Sequence, residues 1–231
     1  MNIVITGGCG HIGTYISNKL ANEAGIKKIY LIDNFQKENF TYLYFKDKKI
    51  QIIYLDTTKD LDLKYFKNLG ISTLIHLAAI TNAEDSFKKR NFIKRNNYQS
   101  TVKLVNFANK LNIKLIFISS TSVYGSSKIK NINEDTKDAI NPQSPYAEYK
   151  LKEENFIRKN SKNFIIFRFG TITGTSIGMR FHTAINKFCL QAHFRKPITV
   201  WKTAMNKKRP YLSLEDSYRS IKWALNKNNL N

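Results

Sequence analysis

Short apolar runs rich in β-branched residues alternate with helical segments along most of the chain. We expect six of these runs to form strands, at residues 2–6, 29–32, 50–55, 73–77, 115–119 and 164–167. Between them, apolar residues recur at helical spacing, as at Ile12, Ile16 and Leu20. Strands that are apolar on both faces and separated by helices are typical of a doubly wound parallel α/β sheet.

The pattern weakens after Phe169. Gly170, Gly174 and Gly178 open a less regular region, and an amphipathic segment over residues 214–225 follows near the end of the chain. We therefore expect a sheet domain over residues 1–170 and a small second lobe over residues 171–231.

The chain is strongly basic, with 38 Lys+Arg against 17 Asp+Glu, a formal net charge of +21 in 231 residues. Such a charge raises the question of a nucleic-acid partner. The basic residues are 30 Lys and only 8 Arg, however, whereas the planar, bidentate donors of Arg are the ones expected to read base edges. We therefore do not expect a nucleic-acid partner, and we expect the dense basic cluster at residues 88–95 to be a solvated helix face.

Other classes of protein are also not expected from this sequence. No apolar run approaches the roughly 18 residues that a membrane-spanning helix needs. Residues 1–6 meet Gly7 with no basic leader, unlike a signal peptide. Cys9 and Cys189 lie 189 − 9 = 180 positions apart and form neither a metal-ligand pair nor a disulfide framework. We expect a cytoplasmic protein with no membrane segment and no metal site.

The first predicted strand runs directly into a glycine-rich loop that opens a helix, with Gly7, Gly10 and Gly13 at threefold spacing. Gly7 permits the tight turn, Gly10 lets the backbone approach a pyrophosphate, and Gly13 lets the helix pack closely on the strand. The unpaired N–H groups at the helix start receive the anion. Asp33 lies 33 − 13 = 20 residues after Gly13, where its carboxylate can accept hydrogen bonds from an adenosine ribose. The loop and Asp33 together predict a dinucleotide site.

The residues after Asp33 favour NAD over NADP. Asn34, Phe35 and Gln36 include no arginine that could hold a ribose phosphate, and the Asp33 carboxylate itself repels one. We therefore expect NAD as the cofactor.

A second group of residues predicts proton transfer. Tyr146 and Lys150 follow Pro145 at an expected helix start, and a spacing of four places them on one helical face. A phenol with a pKa of about 10 is a poor base at neutral pH, but the ammonium of Lys150 and a cationic nicotinamide ring both lower that pKa. Ser119 and Ser120 end the fifth predicted strand, and the carboxyl ends of parallel strands are where such sheets place their chemistry.

These motifs together resemble the extended short-chain dehydrogenase/reductases, and within them the NAD-dependent nucleotide-sugar epimerase/dehydratase group. The match covers the glycine loop, Asp33, Asp56, residues 76–79, Asn97, residues 119–125, residues 144–150 and, more weakly, residues 168–174 and 209–216. It spans nearly the whole chain and implies a Rossmann fold for the sheet domain.

The resemblance implies which residues hold the cofactor. They are Gly7, Gly10, His11, Ile12 and Gly13 of the loop, Asp33 and Asn34, Asp56 and Thr57 at the adenine, Leu77, Ala78 and Ala79 along the cofactor, and Asn97, Tyr146 and Lys150. Asn97 is implied in addition to support the backbone and helix of the active site.

The resemblance also implies the catalytic and substrate-binding residues. Ser120 hydrogen-bonds the sugar hydroxyl that is oxidised, Tyr146 exchanges its proton, and Lys150 binds the nicotinamide ribose and tunes Tyr146. Arg209 contacts the diphosphate of the sugar nucleotide, and Thr171 stands where the family often has a substrate-contacting Asn.

The residues after Ser120 bear on the reaction type. Dehydratases of this group typically have an Asp-Glu pair there and decarboxylases a Glu, because eliminating water or carbon dioxide needs an additional acid or base. This chain has Thr121 and Ser122, which cannot supply that function at neutral pH. We therefore expect an epimerase of the 4-epimerase type, acting on a UDP-sugar for polysaccharide synthesis. Another reductase, dehydratase or sugar-modifying enzyme of the same fold stays open as an alternative.

The end of the matched region leaves a further alternative. The family continues well beyond the segment that matches residues 209–216, whereas this chain has 231 − 216 = 15 residues more. We therefore expect a shortened substrate lobe, with a truncated, non-catalytic NAD-binding protein as an alternative to the enzyme. By the same resemblance, the helix after Asn97 and the helix that contains Tyr146 are expected to pair in a homodimer.

Overall fold

Six strands pair into one parallel sheet in the computed structural model of the chain, which describes residues 1–36, 41–81, 86–126, 132–181, 183–200, 202, 205 and 208–227. The strands are β1 Asn2–Thr6, β2 Lys28–Asp33, β3 Ile50–Tyr54, β4 Ile71–His76, β5 Lys114–Ser120 and β6 Phe164–Phe169. Their order across the sheet is β3-β2-β1-β4-β5-β6, and every pair is parallel. This confirms the predicted doubly wound Rossmann fold.

Seven α-helices accompany the strands within these described ranges. They are α1 His11–Ala21, α2 Leu63–Asn68, α3 Arg90–Ile93, α4 Ser100–Leu111, α5 Pro145–Asn160, α6 Ala184–His193 and α7 Leu214–Asn226. A π-helical segment, Lys94–Gln99, joins α3 to α4. Two further strands, β7 Thr171–Thr173 and β8 Tyr211–Ser213, form a separate parallel pair. None of the helices described has the length and apolar character that crossing a membrane requires.

All six predicted strands are present, with ends within two residues of the predicted positions. The largest extensions, of two residues, are at the start of β4 and at the end of β6, and β6 continues to Phe169 because its ladder with β5 also continues. The register places Ser119 opposite Arg168 and Ser120 opposite Phe169. The last pair of this ladder therefore sets Ser120 at the carboxyl edge of the sheet.

The central strand β1 shows how the sheet is buried on both faces. Ile3 and Ile5 point to one face and pack in a cluster with Ile16 of α1, whereas Val4 points to the other face and packs with Leu104 of α4. All of these side chains are fully buried. A strand with helices on both sides has no polar face, which is why the predicted strands read as continuous apolar runs.

The last helix, α7, packs against α1 in the same hydrophobic layer. Near its start, Glu215 accepts a hydrogen bond from the Tyr15 hydroxyl at 2.7 Å. Near its end, the buried Lys114 of β5 donates from Nζ to Ala224 O at 3.0 Å, so that a cation caps the helix C-terminus. Residues 214–226 of the predicted second lobe thus lie on the sheet domain.

Candidate active site

A cavity of about 1100 Å³ opens at the carboxyl ends of the central strands. It lies beside the point between β1 and β4 where the strand order reverses, which is where open α/β sheets bind ligands. Its wall contains all the site residues predicted above except Asn97: Gly7, Gly10, His11, Ile12, Gly13, Asp33, Asn34, Asp56, Thr57, Leu77, Ala78, Ala79, Ser120, Tyr146, Lys150, Thr171 and Arg209. The fold therefore collects residues from positions 7 to 209 around one space.

The glycine loop between β1 and α1 has no room for a side chain at two of its positions. Gly7 has a φ of +67°, and a Cβ there would lie 2.8 Å from the backbone of Ala78. A Cβ on Gly13 would lie 2.5 Å from Gly7 O. At Gly10, in contrast, Gly7 O at 3.2 Å is the one described atom within 4 Å of a Cβ, so the approach of a ligand explains this glycine better than packing does.

The start of α1 suits an anion. Gly10 is the N-cap of this helix, and because it has no side chain it leaves the first N–H groups of α1 to a ligand. The residues that follow, His11 and Ile12, lie in the cavity wall. The loop and the helix start therefore fit the pyrophosphate of a dinucleotide.

Asp33 is held in place by backbone amides. Its carboxylate accepts hydrogen bonds from Cys9 N at 3.1 Å and from Phe35 N at 3.0 Å. These two bonds fix the carboxylate at the end of β2, in the cavity wall. Burial, with the Asp33 charge as a smaller cause, raises the pKa of the Cys9 thiol to about 12, so Cys9 is a neutral thiol at physiological pH and not an activated nucleophile.

Asn97 lies behind the cavity wall instead of in it. It is fully buried in the π-helical segment, and its side chain binds the backbone of Ile80 on both sides. Asn97 Oδ1 accepts from Ile80 N at 3.0 Å, and Nδ2 donates to Ile80 O at 3.0 Å. Since Ile80 lines the cavity, these bonds suit the supporting role that the resemblance implies for Asn97, and its contact with the cofactor stays a prediction.

Local sequence explains why α5 begins where it does. Ser144 is the N-cap, and its hydroxyl oxygen accepts a hydrogen bond from Ala147 N at 3.2 Å. Pro145 follows in the first turn, where its missing N–H removes no helical hydrogen bond. Tyr146 therefore lies in the first turn of the helix, beside the carboxyl ends of the strands.

Ser120, Tyr146 and Lys150 line the cavity, and Ser120 and Lys150 lie close enough to Tyr146 to act on its phenol. Burial raises the pKa of the Tyr146 phenol above its ordinary value, the charge of Lys150 and a hydrogen bond with Ser120 lower it, and the charge of Glu153 raises it. Lys150 thus lowers the pKa of Tyr146, the direction expected from the sequence. In the protein alone, however, burial is the larger effect, and the phenol keeps its proton at neutral pH.

A buried ion pair, continued by hydrogen bonds, connects Lys150 with helix α4 and with strands β4 and β1 beneath the site. Lys150 Nζ lies 3.2 Å from Glu153 Oε2, and both side chains are buried. Thr101 Oγ1 donates to Glu153 Oε1 at 2.8 Å and lies 3.1 Å from His76 Nε2. His76 Nδ1 lies 2.7 Å from Thr6 Oγ1, at the end of β1. The lysine is therefore positioned by a carboxylate that is itself held by the helices and strands beneath the site.

The direction of these bonds follows from the state of His76. Burial lowers the pKa of His76 to about 3, so the imidazole is neutral and has one donor and one acceptor. Because Thr101 gives its proton to Glu153, its oxygen accepts from His76 Nε2–H. His76 Nδ1 then accepts from the Thr6 hydroxyl.

The neighbouring acid, Glu154, forms a second buried ion pair. Arg168 of β6 donates from Nη2 to Glu154 Oε2 at 2.7 Å and from Nη1 to the Tyr124 hydroxyl at 2.7 Å. The hydroxyl of Ser119 donates to Glu154 Oε1. Since Ser119 is engaged in this way, Ser120 is the serine of β5 that is suited to bind a substrate hydroxyl.

Sequence reasoning missed three charged residues: Glu153, Glu154 and Arg180. The two acids follow Lys150 by three and four residues, a spacing typical of ion pairs within a helix, and that signal was visible. Arg180 lies in an irregular segment before α6, lines the cavity, and donates from Nη1 to Thr81 Oγ1 at 2.7 Å. No periodicity marks its position.

Comparisons with known proteins agree with this geometry. The model of the NAD dependent epimerase/dehydratase family matches residues 3–231. A dTDP-D-glucose 4,6-dehydratase of Dictyostelium discoideum is 29% identical over 232 residues, covering 93% of this chain and 53% of the relative. A UDP-glucose 4-epimerase of Lactobacillus helveticus is 28% identical over 76% of this chain and 53% of its own length. The chain thus spans about half the length of these curated relatives.

A solved structure extends the comparison to three dimensions. The UDP-glucuronic acid 4-epimerase of Bacillus cereus, in complex with UDP-glucuronic acid and NAD, superposes with a TM-score of 0.86 at 27% sequence identity. The match covers 99% of this chain and 74% of that one. Both the sheet and the segments after it therefore have counterparts in a protein of this fold.

Proposed function

This chain belongs to the NAD-dependent epimerase/dehydratase family, and we propose that it acts as a nucleotide-sugar 4-epimerase with a UDP-sugar as substrate. The observation that carries the proposal is the group of Ser120, Tyr146 and Lys150 on a part of the wall where the described residues include no carboxylate. The acids of the described wall are Asp33, which is the last residue of β2, and Asp56, which follows β3. The site thus offers a proton carrier without a second acid.

The cofactor is NAD, and the site fits it. The glycine loop and the start of α1 would hold the pyrophosphate, Asp33 the adenosine ribose, and Lys150 the nicotinamide ribose. When bound, NAD supplies a reversible acceptor for the hydride of the sugar carbon.

Tyr146 carries the proton in the proposed reaction. Ser120 hydrogen-bonds the 4-hydroxyl of the sugar and orients it, and Tyr146 takes the hydroxyl proton as carbon 4 becomes a ketone. The charges of Lys150 and of a cationic nicotinamide ring would both favour the phenolate, so that Tyr146 releases its own proton to solvent before it accepts that of the sugar hydroxyl. After the keto sugar has turned over, Tyr146 returns a proton to the oxygen as the ketone is reduced on its other face. The net change is inversion at carbon 4.

Thr121 and Ser122 favour this reaction over dehydration. Both line the cavity beside Ser120, and elimination of water needs an acid or base that a neutral hydroxyl does not provide. The match to a 4,6-dehydratase makes dehydration the second candidate. The B. cereus structure, a 4-epimerase holding UDP-glucuronic acid, supports the first candidate and the UDP-sugar class.

Two residues of the C-terminal region are proposed to contact the substrate. Thr171 in β7 and Arg209 just before β8 both line the cavity, and Thr171 N donates to Pro210 O at 3.0 Å, which holds the two segments together. The exposed guanidinium of Arg209 suits the diphosphate of a nucleotide sugar. Thr171 suits a sugar hydroxyl.

An NMR time course tests the proposed reaction. Purified protein is incubated with NAD+ and a panel of UDP-hexoses, UDP-hexuronic acids and their N-acetyl forms. We expect the anomeric signal of the 4-epimer to grow while NADH does not accumulate. A keto-deoxy product would identify a dehydratase, and bound NAD with no change in any sugar of the panel would favour a non-catalytic NAD-binding protein; either result contradicts the proposal.

We also propose a homodimer that forms through α4 and α5. Tyr98, just before α4, contacts Tyr149 and Phe156 of α5 at ring distances of 6.3 and 6.2 Å, so aromatic packing joins the two segments and leaves Tyr98 and Phe156 partly exposed. The net charge of +21 makes two copies of the chain repel each other at low ionic strength. Light scattering is expected to show a dimer at micromolar concentration in about 0.15 M salt, with dissociation as salt is lowered. A monomer under both conditions would contradict the dimer.

A further inference from the structure

Arg180 is a charged residue of the cavity wall that the proposed reaction does not use. A guanidinium has five N–H donors. In the part of the chain that the structure describes, Arg180 makes a single side-chain hydrogen bond, to Thr81, and no ion pair. A partly buried cation without a counter-charge from the protein calls for an anionic ligand.

Two residues at different parts of the site, Tyr146 and Asp33, influence the pKa of Arg180. Burial lowers the pKa of Arg180, whereas the Tyr146 phenol, when it is ionised, and the charge of Asp33 raise it. Asp33 marks the position of the adenosine ribose and Tyr146 that of the nicotinamide. The pyrophosphate of a dinucleotide lies between its two ribosides. A cation that interacts with both Asp33 and Tyr146 is therefore placed to face the pyrophosphate.

The segment that carries Arg180 lies directly on the glycine loop. A Cβ on Gly178 would lie 2.7 Å from Gly10 C, so the two backbones are in contact. Arg180 O accepts a hydrogen bond from the buried amide of Asn186 at 2.9 Å. Contacts on both sides of Arg180 thus hold the backbone of residues 178–180 against the loop and against α6, and the hydrogen bond to Thr81 Oγ1 holds one nitrogen of the guanidinium at the cavity wall.

We infer that Arg180 binds the pyrophosphate of the dinucleotide together with the N–H groups at the start of α1. The C-terminal region, which supplies the proposed substrate contacts, would then also help to keep the cofactor bound. Tight binding of the cofactor suits an enzyme that regenerates it in each cycle, because such a cofactor need not dissociate. The inference rests on NAD as the cofactor and holds whether or not the reaction is the proposed epimerisation.

Binding measurements on the full chain test this inference. Dissociation constants for ADP-ribose and for UDP are measured by calorimetry, and adenosine, which lacks phosphate, is followed by NMR. Arg180→Gln is expected to raise the dissociation constant of ADP-ribose about 10- to 100-fold, as loss of a charge-assisted hydrogen bond does, and to leave adenosine and UDP unchanged. Arg180→Lys is expected to recover part of the loss, because it restores the charge without the planar donors.

Arg209→Gln is the matched control, since it removes a second arginine from the same wall. It is expected to weaken UDP and leave ADP-ribose unchanged. If Arg180→Gln weakens UDP and not ADP-ribose, Arg180 serves the substrate diphosphate and the inference is wrong. Equal weakening of adenosine and ADP-ribose would also overturn it, because a distorted site and not a lost phosphate contact would then explain the effect. Circular dichroism spectra of the variants exclude unfolding.

Discussion

Tyr146→Phe is expected to lower kcat for epimerisation by about 10²- to 10⁴-fold, the range that general acid–base catalysis contributes. Phenylalanine keeps the ring that is buried in the first turn of α5 and removes only the oxygen that carries the proton. The dissociation constant for NAD is expected to change little, because the loop, Asp33 and Lys150 are untouched. Rates come from the NMR assay, and NAD affinity from calorimetry.

Tyr149→Phe provides a matched control for this substitution. Tyr149 is buried in the same helix to the same extent as Tyr146, at 7% against 8% exposed, but it contacts Tyr98 and does not line the cavity. We expect nearly unchanged kcat in this variant. Equal rates for the two variants would show that Tyr146 is not the proton carrier, even if the wild-type protein proves to be an epimerase.

Much of the fold was predictable because its physical signals are local. Each central strand is covered by helices on both faces, which requires a continuous apolar run, and such a run is legible in residues 2–6 or 115–119. Gly7 is required by its φ of +67°, and Gly13 by its contact with Gly7 O in the same loop. Parallel strands all end at one edge, so Asp33, Ser120 and the start of α5 were expected to meet there before any coordinates were known.

The charged residues missed by the sequence analysis depend on contacts between distant segments. Arg180 reaches the cavity because Gly178 packs on Gly10, 178 − 10 = 168 residues earlier, and no periodicity records such a contact. Glu153 and Glu154 look like the solvated face of a polar helix. They are buried because Thr101 from α4 and Arg168 from β6 reach them. Asn97 was recognised, but its contact with Ile80, which places it behind the wall, was visible only in three dimensions.

The second large expected effect concerns stability and arises from the buried ion pair of Lys150 and Glu153. Glu153→Ala is expected to lower the free energy of unfolding by about 3–5 kcal/mol, because it leaves the ammonium of Lys150 buried without its counter-charge. Glu153→Gln is expected to cost less, since the amide oxygen can still accept the hydrogen bond from Thr101. Urea unfolding followed by circular dichroism gives both values.

Glu148→Gln is the control, because Glu148 lies in the same helix and pairs with Arg90 at the surface, where the two side chains are 33% and 52% exposed. Glu148→Gln is expected to lower the free energy of unfolding by less than about 1 kcal/mol.

The double variant Lys150→Met/Glu153→Leu removes both buried charges and is expected to regain most of the stability lost in Glu153→Ala, since no unpaired ion remains. If Glu153→Ala costs no more than Glu148→Gln, the carboxylate does not neutralise Lys150. If the double variant is as unstable as Glu153→Ala, the loss comes from packing and not from the stranded ammonium. If the double variant regains stability but not catalysis, the two roles of the pair are separate. Stability requires only that no buried charge is left unpaired, whereas proton transfer requires the ammonium of Lys150 itself.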